Sequence, residues 1–277
     1  MALSLIKADE LVQLQGVDNL ILIDARFHYP AYVEEHLEGA FHVDLNKDLS
    51  QIDEDPANGG RHPLPSPQAF GELIGQLGIT PETHVVVYDD KQGSMSAARF
   101  WWMLKALGHE KIQVLDGGWQ AAKKQGFPLE STLPTGQQAA SYPASHWQLP
   151  ISSINEVKTA TMLKEKIIID VRENERYRGV VEPIDKIAGH IPGAVNLPFS
   201  ENLDENGLFL PQEILREKYL QTFKGQTSEN IIVHCGSGVT ACHSLLAICT
   251  AGLDIPNLYV GSWSEWSRNN LPIATLL

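Results

Sequence analysis

The chain has 277 residues, of which 43% are apolar and 20% charged, with a formal net charge of −13. That length suits two domains of about 130 to 140 residues each, with enough apolar material for full cores. The acidic balance argues against nucleic acid or an anionic membrane as partner, so an anionic ligand would need a local cationic patch.

The first segment, "MALSLIKADELVQLQ", has acidic residues by position 9 and reads as an amphipathic helix, not a secretory signal. "LILID" (20–24) reads as a buried strand, followed by "HLEGAFHVDL" (36–45). "HVVVY" (84–88) and "IQVL" (112–115) are further strands, separated by the helical pattern "SAARFWWMLKALG" with Gly108 at its C-terminal boundary. "STLPTGQQAASYPASHWQLP" (131–150) is polar, holds three prolines and suits an interdomain linker.

The series then begins again. "KIIID" (166–170), "NIIVHC" (230–235) and "NLYV" (257–260) read as strands, with a helix over "TACHSLLAICTAG" closed by Gly252. "LILIDAR" answers "IIIDVR", placing Asp24 and Asp170 146 positions apart, and "HVVVYDD" answers "IIVHCGS" at the same interval, placing Asp89 opposite Cys235. "HLEGAFHVDL" answers "HIPGAVNLPF", "VLDGGW" answers "YVGSWSEW", and "GFPLE" answers "NLPIA". Five matches in the same order mark a duplication. Uniformly apolar strands joined by helices imply parallel sheets covered on both faces, so the expected fold is α/β, with domains over 1–135 and 151–277 and a linker over 136–150. The second copy carries extra residues around "RYRGVVEPIDK".

Cys235 falls where the strand meets the helix, the place at which ligands gather in parallel sheets. Gly236 and Gly238 let the backbone of "CGSGVT" curl, so that its N–H groups can form an anion nest. Such a setting lowers a thiol pKa and favours the nucleophilic thiolate. Ser237 and Thr240 add hydroxyls, and the first copy has Asp89 in place of the thiol. Cys242 and Cys249 read as small core residues on an apolar helix face, and the three cysteines form neither a disulfide framework nor a zinc ribbon. A cysteine phosphatase needs an arginine six residues after the cysteine, where this chain has Ala241. His234, Cys235, Cys242 and His243 would not converge on a metal, and no metal is expected. No run approaches a membrane span, and a reducing cytoplasm is the expected compartment.

The tandem layout, "HIPGA" at 190–194, "CGSGVTA" at 235–241 and "GSWSEW" at 261–266 resemble the two-domain rhodanese-like sulfurtransferases, and the cysteine loop is similar to that of 3-mercaptopyruvate sulfurtransferases. The resemblance implies two tandem rhodanese-like domains, the first inactive and the second catalytic, with the site in the cleft between them. Cys235 would take sulfur from 3-mercaptopyruvate as a persulfide, release pyruvate, and pass the sulfur to a thiol, for example thioredoxin, or to cyanide. No cofactor is called for, since the sulfur rides on the protein. Arg176 in "RYRG" would hold the donor carboxylate, with the loop residues Gly236, Gly238, Val239 and Thr240 around it. Mercaptopyruvate enzymes commonly carry a second arginine after "EP" in this insertion; here Ile184 and Asp185 follow, leaving Lys186 as the nearest cation. The resemblance further implies a proton relay of Ser237 with His36. Arg61, in "GGRHPLP", lies in a loop that could border the cleft. Thiosulfate is the alternative donor, and a non-catalytic persulfide-carrying module is the alternative from another class.

Overall fold

The computed structural model describes residues 4–135 and 141–276, which divide into two compact units. The first gathers the described residues of Met1–Gln51, Pro65–Gln148 and Glu205–Phe209. The second gathers Ile52–Leu64, Leu149–Asp204 and Leu210–Leu276. Each unit is therefore discontinuous in sequence, and residues 52–64 belong with the second copy although the chain reaches them during the first.

In the first unit, β1 (Leu5–Ile6), β2 (Leu20–Asp24), β4 (Phe41–His42), β5 (His84–Tyr88) and β6 (Ile112–Leu115) form a parallel sheet in the order β1-β6-β5-β2-β4. The helices α1 (Ala8–Gln13), α2 (Tyr29–Glu34), α3 (Pro67–Gln76), α4 (Ser96–Ala106) and α5 (Gly118–Gln125) connect these strands. A short antiparallel pair joins β3 (His36–Leu37) to β7 (Leu129–Glu130). The centre is apolar on both faces of the sheet: Val85, Val86, Val87, Trp101 and Trp102 are wholly buried, which is what a parallel sheet between helices demands. The N-terminal segment expected as one helix divides into β1 and α1.

The second unit repeats the plan in a smaller sheet, ordered β11-β10-β8-β9, from β8 (Ile167–Asp170), β9 (Val195–Asn196), β10 (Ile231–His234) and β11 (Asn257–Leu258). Its helices are α6 (Ile154–Leu163), α7 (Asn174–Arg178), α8 (Gln212–Phe223), α9 (Thr240–Thr250) and α10 (Ser262–Trp266). The capping box of Ser153 and Glu156 starts α6, and α7 takes the place that α2 has in the first unit, with the extra residues of this copy following it.

The duplicated motifs have a common physical basis. Asp24 ends β2, accepts the backbone N–H of Arg26 at 2.9 Å and receives its guanidinium at 2.6 Å, while that guanidinium stacks on Trp119, 4.0 Å from the ring centre. Asp170 and Arg172 repeat this at 3.0 and 2.6 Å, with Trp263 at 4.7 Å. The pair repeated as D-x-R, and the tryptophans of "DGGW" and "GSW", therefore form one buried ion-pair unit in each copy. Burial pushes the Asp170 carboxyl up, but Arg172 and His234 more than offset this and hold it below the usual range.

The stretch expected as a free linker differs from that expectation. Residues 136–140 lie outside the described residues, but Tyr142 is buried against the first unit with its hydroxyl 2.9 Å from His109 Nδ1, and Trp147 packs on Phe70 and Trp102. Polar composition concealed two aromatic anchors whose burial is worth more than linker freedom.

Candidate active site

Cys235 is the first residue beyond β10 and is 2% exposed. Its backbone N–H donates to Ser262 Oγ at 3.1 Å, and its carbonyl accepts from Trp263 N at 3.0 Å. The next carbonyl, of Gly236, accepts from Ser264 N at 2.9 Å. The start of α10 thus pins the loop from beneath. Gly238 adopts φ +73°, and a Cβ there would stand 2.5 Å from the Val260 carbonyl oxygen, so both conformation and space require glycine. Val239 is buried and Thr240 opens α9, while Cys242, also buried, lies with Sγ 3.3 Å from the Gly238 carbonyl.

The equivalent loop of the first unit shows what such a backbone holds. Asp89 follows β5 as Cys235 follows β10, and its carboxylate accepts the N–H groups of Lys91, Gly93, Met95 and Ala97 at 2.8 to 3.1 Å. Burial raises its pKa, against the pull of these four bonds. The first copy carries its own anion where the second carries a thiol.

Around the second loop stands a cluster of guanidinium and carboxylate groups. Arg176, on α7, donates to Glu182 at 2.8 Å and lies 3.5 Å from Asp185. Arg61 lies 3.2 Å and Arg268 2.8 Å from the same Asp185. Glu182 also binds Arg172 at 3.2 Å and the backbone N–H groups of Ile184 and Asp185; burial pushes its carboxyl up, but Arg176 and these two N–H groups hold it below the usual range. A Cβ at Gly236 would stand 3.0 Å from Arg61 Nη2 and 3.4 and 3.5 Å from the two Nη atoms of Arg176. Two guanidiniums therefore overhang the residue next to the thiol. Counting Arg61, Arg172, Arg176 and Arg268 against Asp170, Glu182 and Asp185 leaves one positive charge, in a chain that is otherwise strongly acidic.

His62 lies with Nδ1 2.8 Å from Ser237 Oγ. The histidine expected there, His36, is elsewhere: it is wholly buried in the first unit, stacked on Tyr32 at 4.2 Å with Nδ1 2.8 Å from the Tyr32 carbonyl oxygen. His190 does the same on Tyr177, at 3.9 Å and 2.8 Å. The histidine of the H-x-x-G-A element is thus a packing residue in both copies, and the imidazole on Ser237 comes from "GGRHPLP". Lys186 is exposed, while its neighbour Asp185 turns into the arginine cluster. Sequence reasoning missed His62 altogether. The available signal was the turn-rich run around it, where Gly59 and Gly60 both have positive φ and Gly59 N is bonded to Glu265 at 3.0 Å. Among the described residues no group of His, Cys, Asp or Glu side chains is arranged to hold a metal ion.

The Rhodanese-like domain family matches residues 7–125 and again residues 153–269. The chain belongs to the rhodanese-like family. This tandem rhodanese-like protein is 38% identical, over 98% of both chains, to the "Probable 3-mercaptopyruvate sulfurtransferase" of Pseudomonas aeruginosa. It is 36% identical to human 3-mercaptopyruvate sulfurtransferase, over 91% of this chain and 86% of that one. With rat thiosulfate sulfurtransferase it shares 35% identity, over 92% and 87% of the respective chains. Among solved structures, SseA from Escherichia coli superposes with a TM-score of 0.77 at 30% identity, covering 95% of this chain and all of that one. The two sheets flanked by helices are the tandem rhodanese-like fold that the sequence motifs imply.

Proposed function

We propose that the donor of this sulfurtransferase is 3-mercaptopyruvate and that Cys235 carries the transferred sulfur as a persulfide. The Cys235 thiolate attacks the donor sulfur, the Sγ–S bond forms, and the carbon–sulfur bond breaks with its electron pair left on carbon as the pyruvate enolate. A proton must reach that carbon to give pyruvate. The observation that carries the reading is the His62–Ser237 hydrogen bond beside Cys235, because a hydroxyl backed by an imidazole can deliver that proton. Thiosulfate, by contrast, would leave sulfite, which departs with its charge and needs no proton on carbon.

The surrounding charge supports the same donor. Arg176 offers a guanidinium fork to the carboxylate. By analogy with the first unit, whose loop N–H groups hold Asp89, the loop after Cys235 would receive the outer sulfur. The first unit supplies no nucleophile and is catalytically silent. An incoming thiolate, of thioredoxin or a small thiol, or cyanide then attacks the outer sulfur and regenerates the Cys235 thiolate. A thiol nucleophile of this kind works in a reducing compartment, which fits the cytoplasm.

Intact mass after brief exposure to 3-mercaptopyruvate, and separately to thiosulfate, tests this directly. One added sulfur, faster from 3-mercaptopyruvate and absent in Cys235→Ser, is the expected result. Faster loading from thiosulfate would transfer the assignment to the reaction of the rat relative, and no added sulfur from either would leave the folded site as a binding module.

A further inference from the structure

The donor reading leaves one charge unaccounted for. Asp185, a carboxylate with no exposed side-chain surface, stands among Arg61, Arg176 and Arg268 beside the cysteine loop. We propose that Arg61 is the second donor-binding guanidinium of this site and that Asp185 is the positioning residue that aims it. The proposal rests on the donor reading above and names the group that makes the site selective for a 2-oxo carboxylate.

Arg61 comes from a segment far from the insertion in sequence, yet its Nη2 atom stands closer to the Gly236 position than either Nη atom of Arg176, at 3.0 against 3.4 Å. Its Nε atom is engaged by Asp185 at 3.2 Å, which leaves the opposite edge of the guanidinium directed at the loop. Asp185 is itself held by Arg268 at 2.8 Å. A buried carboxylate with three arginines around it repels an anionic donor, so its use here is to fix cations. A planar guanidinium held by one edge keeps its second edge for a ligand, a division that lysine cannot reproduce.

The backbone of Arg61 is fixed as firmly as its side chain. Its N–H donates to Ser264 Oγ at 3.1 Å. The preceding Gly60 has φ +83°, and any Cβ there would run into the Gly261 carbonyl oxygen. Asn269 donates to the Ala57 carbonyl at 2.9 Å. Ser264, which takes the Arg61 N–H, also donates its own N–H to Gly236, so one short helix positions both the cysteine loop and the arginine above it. Two guanidiniums over one loop residue match a donor with a carboxylate beside a carbonyl: one fork takes the carboxylate and the other donates to the carbonyl oxygen.

The test separates a carboxylate effect from a structural one by changing the donor. Persulfide formation and steady-state turnover are measured for the unaltered protein, Arg61→Ala, Arg61→Lys and Asp185→Asn. The donors are 3-mercaptopyruvate and 1-mercaptopropan-2-one, which keeps the carbonyl and the carbon–sulfur bond but lacks the carboxylate. The expected result is a KM for 3-mercaptopyruvate raised roughly tenfold or more in Arg61→Ala. The neutral donor should change little, Arg61→Lys should recover part of the loss, and Asp185→Asn should fall between. Equal losses with both donors, or an unaltered KM for 3-mercaptopyruvate, would overturn the proposal. If the unaltered protein loads only from thiosulfate, the donor reading falls alone: a raised thiosulfate KM in Arg61→Ala then keeps Arg61 as the anion anchor, and an unaltered one removes it. No sulfur from any donor removes both.

Discussion

His62 Nδ1 lies 2.8 Å from Ser237 Oγ although 175 positions separate the two residues in the chain. On the reading proposed above, the pair serves a donor with a carbon leaving group and has no proton to deliver where sulfite leaves. With 3-mercaptopyruvate, His62→Gln and Ser237→Ala should each lower the rate of pyruvate formation by on the order of a hundredfold. Persulfide formation from thiosulfate should hold its rate in the same variants. Equal losses with both donors in a stopped-flow comparison would mean that His62 merely supports the loop.

The Asp170–Arg172 pair is buried to within 1% on both side chains, with the guanidinium also donating to the Gly189 carbonyl at 2.7 Å. Asp170→Asn leaves that cation with Glu182 as its remaining carboxylate partner, so a loss of about 3 kcal/mol in urea-monitored stability of the second unit is expected. Asp24→Asn should act likewise on the first. A loss as small as that of an exposed change such as Asp53→Asn would contradict the role given to these pairs.

Burial lowers the pKa of His109, His190 and His234 in the folded protein. Below the unfolded histidine value of about 6.5 the unfolded chain therefore binds protons that the folded chain does not. Stability should be complete above that value and fall as pH drops through it, by up to about 1.4 kcal/mol per pH unit for each histidine involved. Denaturation midpoints between pH 7.5 and 5 measure the slope, and His109→Gln should flatten it. A slope of opposite sign would show that these rings are charged in the fold.

Two glycines with nearly the same backbone angle should respond differently to alanine. Gly193 has φ +80° with nothing within 4 Å of a new Cβ, whereas Gly238, at +73°, would set its Cβ against the Val260 carbonyl. Gly193→Ala should cost about 1 kcal/mol from conformation alone and keep sulfur loading. Gly238→Ala should cost more and slow Cys235 persulfide formation at least several-fold. Matching effects in melting and mass measurements would deny the loop its tight seat.

Much of the fold is legible in the chain because apolar runs such as "LILID" and "HVVVY" become β2 and β5 without change, and the internal match of Asp89 with Cys235 puts both at the first position beyond a central strand. Other features escape for identifiable reasons. Arg61 and His62 sit in a segment without periodicity, and nothing local says that it packs with residues two hundred positions later. His36 misleads because a histidine there looks chemical, although its twin His190, stacked on Tyr177 in the same way, marks it as packing. Tyr142 and Trp147 were hidden in a stretch whose overall polarity suggested a tether.

Asp89 gives the first unit a ligand it cannot lose. A carboxylate attached to the chain is present at a local concentration that no dissolved anion matches, so that loop keeps its shape whatever the medium contains. It is also saturated: sulfite, thiosulfate or a mercaptoacid would have to displace a group covalently bound to the receptor. The two halves therefore differ in their relation to solution more than in their folding. One has sealed the position that the other leaves open, so on the reading proposed above the molecule takes one donor at a time despite being built twice.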